Sequence, residues 1–442
     1  MQLRLNLPAL ASIQGSGWIY GVAGFVSYLV VIRLLRYRFR NKLLRKHAYP
    51  TRRAMAAMTV EEAHAIHGDL SFSEFPLVFY NATSFALFKT YAIPTISKLL
   101  MATGQLSRPE NVSARAADTG VLVAEFTYNA PGSDRSVDAM ARVNFLHSRY
   151  RKAGAILDDD MLYTLALFAL ESGRWTDRYE WRKLTPVERC AAGVVYRSLG
   201  YALETPFDAL KPYMLQPGTT DYTAAEVEAD TNVGSTIDGL TWLEALDKWS
   251  VMYEREKMVP SATSRDVAQC TIGTFLIPVP RFLRPFATNM ISALVDPLTR
   301  RAMMLPDPRA YHGWLLTTTF ALRRWTIRYL LPPRPGWLRI SYFSPAADPQ
   351  TGRFHATYYH VAHPWYIAPS FWARWGPSAL LAHVTGGYVP GAAEFHPEGY
   401  KIADVGPKYQ QGKGAAEMEA NREKQRQNYA GTGPAGRCPM TL

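Results

Sequence analysis

The 442-residue sequence indicates an all-α protein that is attached to a membrane by one N-terminal helix. Three observations support this prediction. A charge-free run of sixteen residues occurs near the N-terminus, helix-capping signals recur along most of the chain, and 48% of the residues are hydrophobic against 19% charged. That balance, with a mean hydropathy of −0.14, allows a large buried core and excludes disordered, collagen-like and multi-span transporter classes.

The predicted transmembrane anchor covers residues 17–35. Gly17–Ile32 carries no charge, and the eighteen residues from Trp18 to Leu35 approach the length that spans a hydrocarbon core of about 30 Å. Ten basic residues and no acidic ones occur before Glu61. Because these charges follow the apolar run, a cleaved signal peptide is disfavoured, and the positive-inside rule places the basic segment 36–59 in the cytosol. Residues 1–16 then form a short non-cytosolic N-terminus, and the basic segment attracts anionic lipids.

The remaining charge argues against a nucleic-acid partner. The net charge is +12, and ten of these charges come from the first 60 residues, so the rest of the chain is close to neutral. Three cysteines are too few for a disulfide framework and favour a reducing compartment.

Residues 60–409 are predicted to form one helical domain. Thr185-Pro-Val-Glu188 is a capping box that opens a helix ending near Gly200, and the acidic run 158–160 precedes an apolar helix that we expect to stop at Gly173. Further helices are predicted over 242–258, 265–276, 285–294 and 311–331. We expect a long loop over 206–239, irregular or short β structure over 337–400, and a mobile polar tail over 410–442.

Motifs of common soluble enzymes are missing from the sequence. There is no phosphate-binding loop, dinucleotide fingerprint, nucleophile elbow or zinc-protease helix. Cys190 and Cys270 lack the flanking residues of a heme-thiolate ligand loop, which excludes that class. Glu61, His64 and His67 share one helical face, but no second Glu-x-x-His helix completes a di-iron site, so we expect a solvent-exposed face.

Two other groups of polar residues are candidates for a site. His355, His360 and His363 could bind zinc or copper, but their spacing matches no closed metal site, which favours aromatic packing. On a second predicted helix, Met140, Asn144, His147 and Arg151 form one stripe that places an imidazole between an amide and a guanidinium. A lone histidine on such a face is normally a satisfied core residue.

A further polar cluster opens a helix upstream. Arg115 and Thr119 lie one turn apart, with Asp118 adjacent, at the start of an apolar stretch. Lining of a pocket and capping at the surface are both compatible with this pattern.

Five segments together carry a family resemblance. They are TSFALFKTYAIPTISKLL (83–100), RAADT (115–119), RVNFLHSRYRKAGAILDDDMLYTLALFALE (142–171), FWARWGP (371–377) and DVGPKY (404–409). Across residues 50–409 the chain resembles the catalytic domain shared by the rubber oxygenases (latex clearing proteins) and the ER-bound fungal oxygenases of mycophenolic acid biosynthesis.

The resemblance implies a globin-like, all-α domain that holds heme b. His147 would be the proximal iron ligand, with its other ring nitrogen held by a backbone carbonyl, and Asn144 and Arg151 would support cofactor binding. Arg115, Asp118 and Thr119 would form the distal, catalytic side, where dioxygen binds. Asp118 replaces the lysine of the rubber enzymes, and their catalytic glutamate has no counterpart, so their proton handling does not carry over.

The implied activity is oxidative cleavage of a C=C bond in the isoprenoid side chain of a prenylated aromatic, or meroterpenoid, compound. The implied location is the endoplasmic reticulum membrane, with the catalytic domain facing the cytosol. Hydroxylation, epoxidation or cyclisation by the same heme is an alternative. A second alternative is a non-catalytic, membrane-tethered carrier of heme or lipid. It stays open because Asp118 stands where the rubber enzymes have a lysine.

Overall fold

A computed structural model describes residues 9–215, 222–233, 236–359 and 363–430. About 69% of the chain is helical, and the described residues contain no strand, which confirms the all-α prediction. The helices are α1 (Ala9–Arg36), α2 (Arg38–Lys46), α3 (Arg52–Met55), α4 (Val60–Asp69), α5 (Pro76–Thr90), α6 (Pro94–Thr103), α7 (Pro109–Tyr128), α8 (Asp134–Lys152), α9 (Asp158–Tyr179), α10 (Pro186–Ala202), α11 (Lys211–Met214), α12 (Ala224–Val233), α13 (Gly239–Lys257), α14 (Ala262–Phe275), α15 (Arg284–Leu294), α16 (Pro297–Ala302), α17 (Ala310–Tyr329), α18 (Phe371–Trp375), α19 (Pro377–Thr385) and α20 (Ala415–Ala430).

Helix α1 contains the predicted anchor. Within the described part of the chain, one helical stretch, Trp18–Lys46, is long and apolar enough to cross a membrane, and it includes most of α1. Its Trp18, Phe25 and Val31 side chains are exposed, as a lipid-facing helix requires. The basic helix α2 follows directly.

The body of the protein is a set of packed helix pairs. Helix α5 lies along α9, α10 packs against α4 and α13, and α7 packs against α8. The α10–α13 crossing depends on two glycines, because a Cβ added at Gly193 would overlap the carbonyl group of Gly239. Such close backbone approach leaves room for no larger residue.

Most predicted helices are present, and α9 differs at its end. Thr185 and Glu188 form the expected capping box at the start of α10. Helix α9 passes through Gly173 and ends at Tyr179, because the Arg174 guanidinium lies 2.6 Å from the Asp247 carboxylate and stabilises the extra turns. An isolated glycine is tolerated where tertiary contacts hold the helix.

The C-terminal prediction was wrong over 415–430. These residues form α20, which packs along α8 and buries Met418 and Gln425. The buried guanidinium of Arg142 donates to the carbonyl oxygens of Val405 and Gln410, which fixes the chain leading into α20. A mainly polar helix is ordered here because its few buried side chains meet a fixed partner surface. Residues 431–442 lie outside the described residues.

Two other segments were predicted as irregular. The 206–239 segment includes the short helices α11 and α12 among its described residues. Over 337–400, the described residues contain two isolated bridges, Phe343 with Ala356 and Phe354 with Tyr400, together with α18 and α19. This part of the chain covers the open side of α5 and α7.

Candidate active site

A cavity of about 330 Å³ lies inside the bundle, enclosed mainly by α5 to α10 with one wall from α14. Most of its walls are apolar, and Leu87, Phe88, Leu100, Leu146 and Phe168 are typical contributors. A concave, mainly apolar pocket with a few polar groups is the usual form of a site for a hydrophobic ligand.

His147, on α8, lines this cavity. Its Nδ1 atom is buried and has no hydrogen-bond partner within the described part of the chain. Burial, and to a lesser extent the charges of Arg115 and Arg151, lower the pKa of His147 to about 4, so the imidazole is neutral at physiological pH. The prediction that a backbone carbonyl or a similar acceptor holds one ring nitrogen is not met at Nδ1 by any residue that the structure describes. An unpaired polar atom here costs roughly 1–3 kcal/mol unless a ligand satisfies it.

Arg115 and Thr119 line the same cavity from α7. The Arg115 Nη1 donates to Thr119 Oγ1 over 2.9 Å, and the Thr119 hydroxyl donates to the Arg115 carbonyl oxygen, also over 2.9 Å. Their spacing of four residues puts both on one helical face, as the sequence predicted. The cavity therefore has an imidazole on α8 and a fixed guanidinium–hydroxyl pair on α7.

Asp118 does not line the cavity, contrary to the prediction. Its carboxylate accepts a hydrogen bond of 2.6 Å from the Tyr366 hydroxyl, and burial raises its pKa above the usual value. At 100° per residue, Asp118 points about 100° away from Thr119, which turns it toward the covering segment. The Asp118–Tyr366 hydrogen bond therefore links α7 to the segment around Tyr366, beside the cavity.

Asn144 and Arg151 also lie outside the lining. The Asn144 amide donates to the Ala202 carbonyl oxygen at 3.0 Å, and Arg151 donates to that of Glu204 at 2.9 Å. Both bonds join α8 to the end of α10, so these residues fix the helix that carries His147. Their cofactor-binding role stays a prediction.

Asp160 is a cavity residue that sequence reasoning missed. It is the one carboxylate among the described lining residues, and it accepts a hydrogen bond of 2.6 Å from the Tyr253 hydroxyl. The sequence marks it only as part of an acidic first helical turn, and no pattern distinguishes it from Asp158 and Asp159. The lining also includes the tyrosines Tyr80, Tyr91, Tyr128, Tyr196 and Tyr342.

The residues of the predicted solvent-exposed face on α4 differ in burial: Glu61 is exposed, His64 is half-buried and His67 is buried, so the prediction was wrong for His67. The packing of α4 against α10 encloses His67, which lies among the rings of Phe79, Tyr128 and Tyr196. Nε2 of His64 and of His67 has no partner within the described ranges. Those ranges contain no group of three or more potential metal ligands.

The C-terminal histidine cluster is only partly described. His363 Nδ1 lies 2.6 Å from the Ser113 hydroxyl oxygen, and the His363 ring packs against Phe395. His360 falls outside the described residues.

Three curated proteins align with this chain over much of its length. The "ER-bound oxygenase mpaB'" of Penicillium brevicompactum is 37% identical over 426 residues, covering 96% of this chain and 95% of that protein. The chain belongs to the mpaB family of ER-bound oxygenases. The "ER-bound oxygenase mpaB" of the same species is 38% identical over 85% of this chain, and that of Penicillium roqueforti (strain FM164) is 40% identical over 64% of it. The two alignments cover 84% and 89%, respectively, of the lengths of these relatives.

Membership of the mpaB family supports an oxygenase role and therefore an enzyme. No family model matches the chain. The wider resemblance to the rubber oxygenases stays a prediction.

Proposed function

We propose that this chain is a heme b-dependent oxygenase that cleaves a C=C bond in the isoprenoid side chain of a prenylated aromatic compound. The observation that carries the proposal is the His147 imidazole, whose ring lines an apolar cavity and whose buried Nδ1 has no partner among the described residues. Membership of the mpaB family supports the oxygenase class.

The residues present suit a heme. A neutral imidazole is a standard axial iron ligand, and the pKa of His147, lowered to about 4, keeps it unprotonated. His147 would hold the iron, and apolar lining residues such as Leu146 and Phe168 would contact the porphyrin. Bound there, heme would supply the binding and activation of dioxygen.

Arg115 and Thr119 would act on the oxygen-bearing side of the site. Thr119 donates its one hydroxyl proton to the Arg115 carbonyl oxygen and accepts from Arg115 Nη1, so it positions the guanidinium, whose other N–H groups would donate when negative charge develops on an oxygen atom. The apolar walls exclude water and bind the isoprenoid tail. Asp160 is the carboxylate available to hold or release a proton inside the cavity.

The overall reaction balances without a reductant. The C=C bond and the O–O bond break, and two C=O bonds form, so one dioxygen supplies both carbonyl oxygens. A substrate with an isoprenoid tail partitions into bilayers. Attachment through α1 to the endoplasmic reticulum membrane, with the domain in the cytosol, would keep the enzyme beside that substrate.

Isotope labelling tests the reaction. Full-length, heme-loaded protein is incubated with a farnesylated phenol under ¹⁸O₂, and the products are analysed by mass spectrometry. We expect two carbonyl fragments, each with one ¹⁸O, after trapping to prevent exchange with water. A single product that retains the whole carbon skeleton with added oxygen would indicate hydroxylation, epoxidation or cyclisation. Unchanged substrate and no oxygen uptake, across a series of prenylated phenols, would favour the alternative of a non-catalytic carrier of heme or lipid.

A further inference from the structure

Helix α17 has two apolar faces, and the described residues cover only one of them. On the inner face, Phe320 packs against Tyr179 with 4.2 Å between ring centroids, and His312 is buried. On the other side, five exposed residues form a stripe within an arc of about 80°, here called the outer face. They are Tyr311, Trp314, Leu322, Trp325 and Tyr329.

The outer face is large and continues beyond the helix. Trp314 is 66% exposed and Leu322 is 62% exposed. From Tyr311 to Tyr329 the stripe is about 27 Å long. At the start of α17 the His312 ring packs against both Tyr311 of the outer face and Phe286, and Phe282, 81% exposed, lies one turn before Phe286. Contiguous apolar surface of this extent on a soluble domain marks an interaction site.

One end of the outer face adjoins α1. The Tyr28 hydroxyl donates to the Leu330 carbonyl oxygen at 2.9 Å, Arg36 donates to the Leu331 carbonyl oxygen, and the Arg33 guanidinium lies 5.5 Å from the Tyr329 ring centroid. The contacts begin at Tyr28, inside the predicted anchor, and end at Arg36, just beyond it. With α1 in the bilayer as proposed, this end of the outer face lies at the boundary between the hydrocarbon and the headgroups.

The chain around the outer face is strongly basic. Residues 281–340 contain ten arginines, no lysine, two aspartates and no glutamate. Arg281, Arg309, Arg324 and Arg334 are exposed. Exposed tryptophan and tyrosine beside arginine is the composition that favours the interface of an anionic bilayer.

We propose that the outer face of α17, with Phe282 and Phe286, is a second membrane-binding surface that lays the domain on an anionic phospholipid bilayer. The proposal rests on α1 entering the bilayer, as proposed above. The consequence is positional: Phe275, which lines the cavity from α14, lies six residues before Arg281, so one cavity wall is brought close to the lipid.

Site-directed fluorescence in vesicles tests this surface. The full-length chain, with Cys270→Ala and Cys438→Ser, is given one new cysteine at a time and labelled with the environment-sensitive fluorophore NBD. Cys190 is buried and stays in place. The parent protein without a new cysteine, treated with the same fluorophore, is the blank. The test sites are Trp314→Cys and Leu322→Cys. Val26→Cys in α1 reports on the anchor. Glu256→Cys is the exposed control: it lies on α13 near the start of α9, whereas α17 packs at the other end of α9. Each variant is reconstituted in phosphatidylcholine–phosphatidylserine vesicles with or without doxyl-labelled lipid.

We expect labels at 314 and 322 to be blue-shifted and quenched by doxyl lipid several-fold more strongly than the label at 256. Quenching at 26 without quenching at 314 and 322 overturns the second surface but leaves the anchor intact. No quenching of the label at 26 would mean that α1 does not enter the bilayer, which overturns the proposed anchor and the second surface that rests on it. Blue-shifted labels at 314 and 322 that doxyl lipid does not quench would mean that protein, such as a second copy of the chain, covers the face, and this also overturns the proposal.

Discussion

Acid should destabilise this protein through His67, and the size of the effect follows from its burial. Burial, followed by the nearby His64, lowers the pKa of His67 from 6.5 to about 3. Below pH 6.5 the unfolded chain therefore binds a proton at His67 that the folded chain does not bind. The free energy of unfolding falls as the pH drops from 6.5 toward 3. At pH 5, one and a half units below the unfolded pKa, this one side chain should lower the free energy of unfolding by about 2 kcal/mol relative to pH 8.

The assay compares the wild-type protein with His67→Phe. Phenylalanine keeps an aromatic ring among Phe79, Tyr128 and Tyr196 but cannot take up a proton. Urea unfolding of the full-length chain in detergent, followed by circular dichroism at pH 8 and pH 5, gives the two free energies. The difference between them should shrink by about 2 kcal/mol in His67→Phe. His383→Gln, at an exposed position, should leave it unchanged. An undiminished pH dependence in His67→Phe would refute the assignment of this titration to His67.

Three further outcomes follow from the structure. Gly193→Ala should lower the free energy of unfolding by about 3 kcal/mol in urea titrations, because its Cβ meets the backbone of Gly239, whereas Gly273→Ala, with open space around it, should be neutral or slightly stabilising. Arg115→Ala should retain heme but slow oxygen consumption, with Arg115→Lys less affected, and normal turnover of the alanine variant would exclude a distal role. The sequons at Asn81 and Asn111 should carry no glycan, and a mobility shift after endoglycosidase H would place the domain in the lumen.

Local signals predicted the helices well. The capping box at Thr185 and the apolar run after Asp160 depend on neighbours within a few residues, so they are visible in the sequence. The end of α9 and the order of α20 depend on partners far along the chain, Asp247 for Arg174 and α8 for Met418. No local pattern contains that information.

The candidate site was predicted in part for the same reason. Arg115 and Thr119 share a helical face, so their meeting in one wall follows from spacing alone. That His147 faces them across a cavity depends on the packing of α7 against α8, and only the family resemblance indicated it. Asp118 turned away because Tyr366, from a distant segment, supplies its hydrogen bond.

The absorption spectrum of purified full-length protein tests the central claim most directly. The wild type and His312→Ala, which alters a buried histidine outside the cavity, should show a Soret band that shifts on reduction with dithionite. His147→Ala should lack that band while keeping its helical circular dichroism. Unchanged heme content in His147→Ala, or a colourless, iron-free preparation with full oxygenase activity, would contradict the assignment of His147 as the heme ligand.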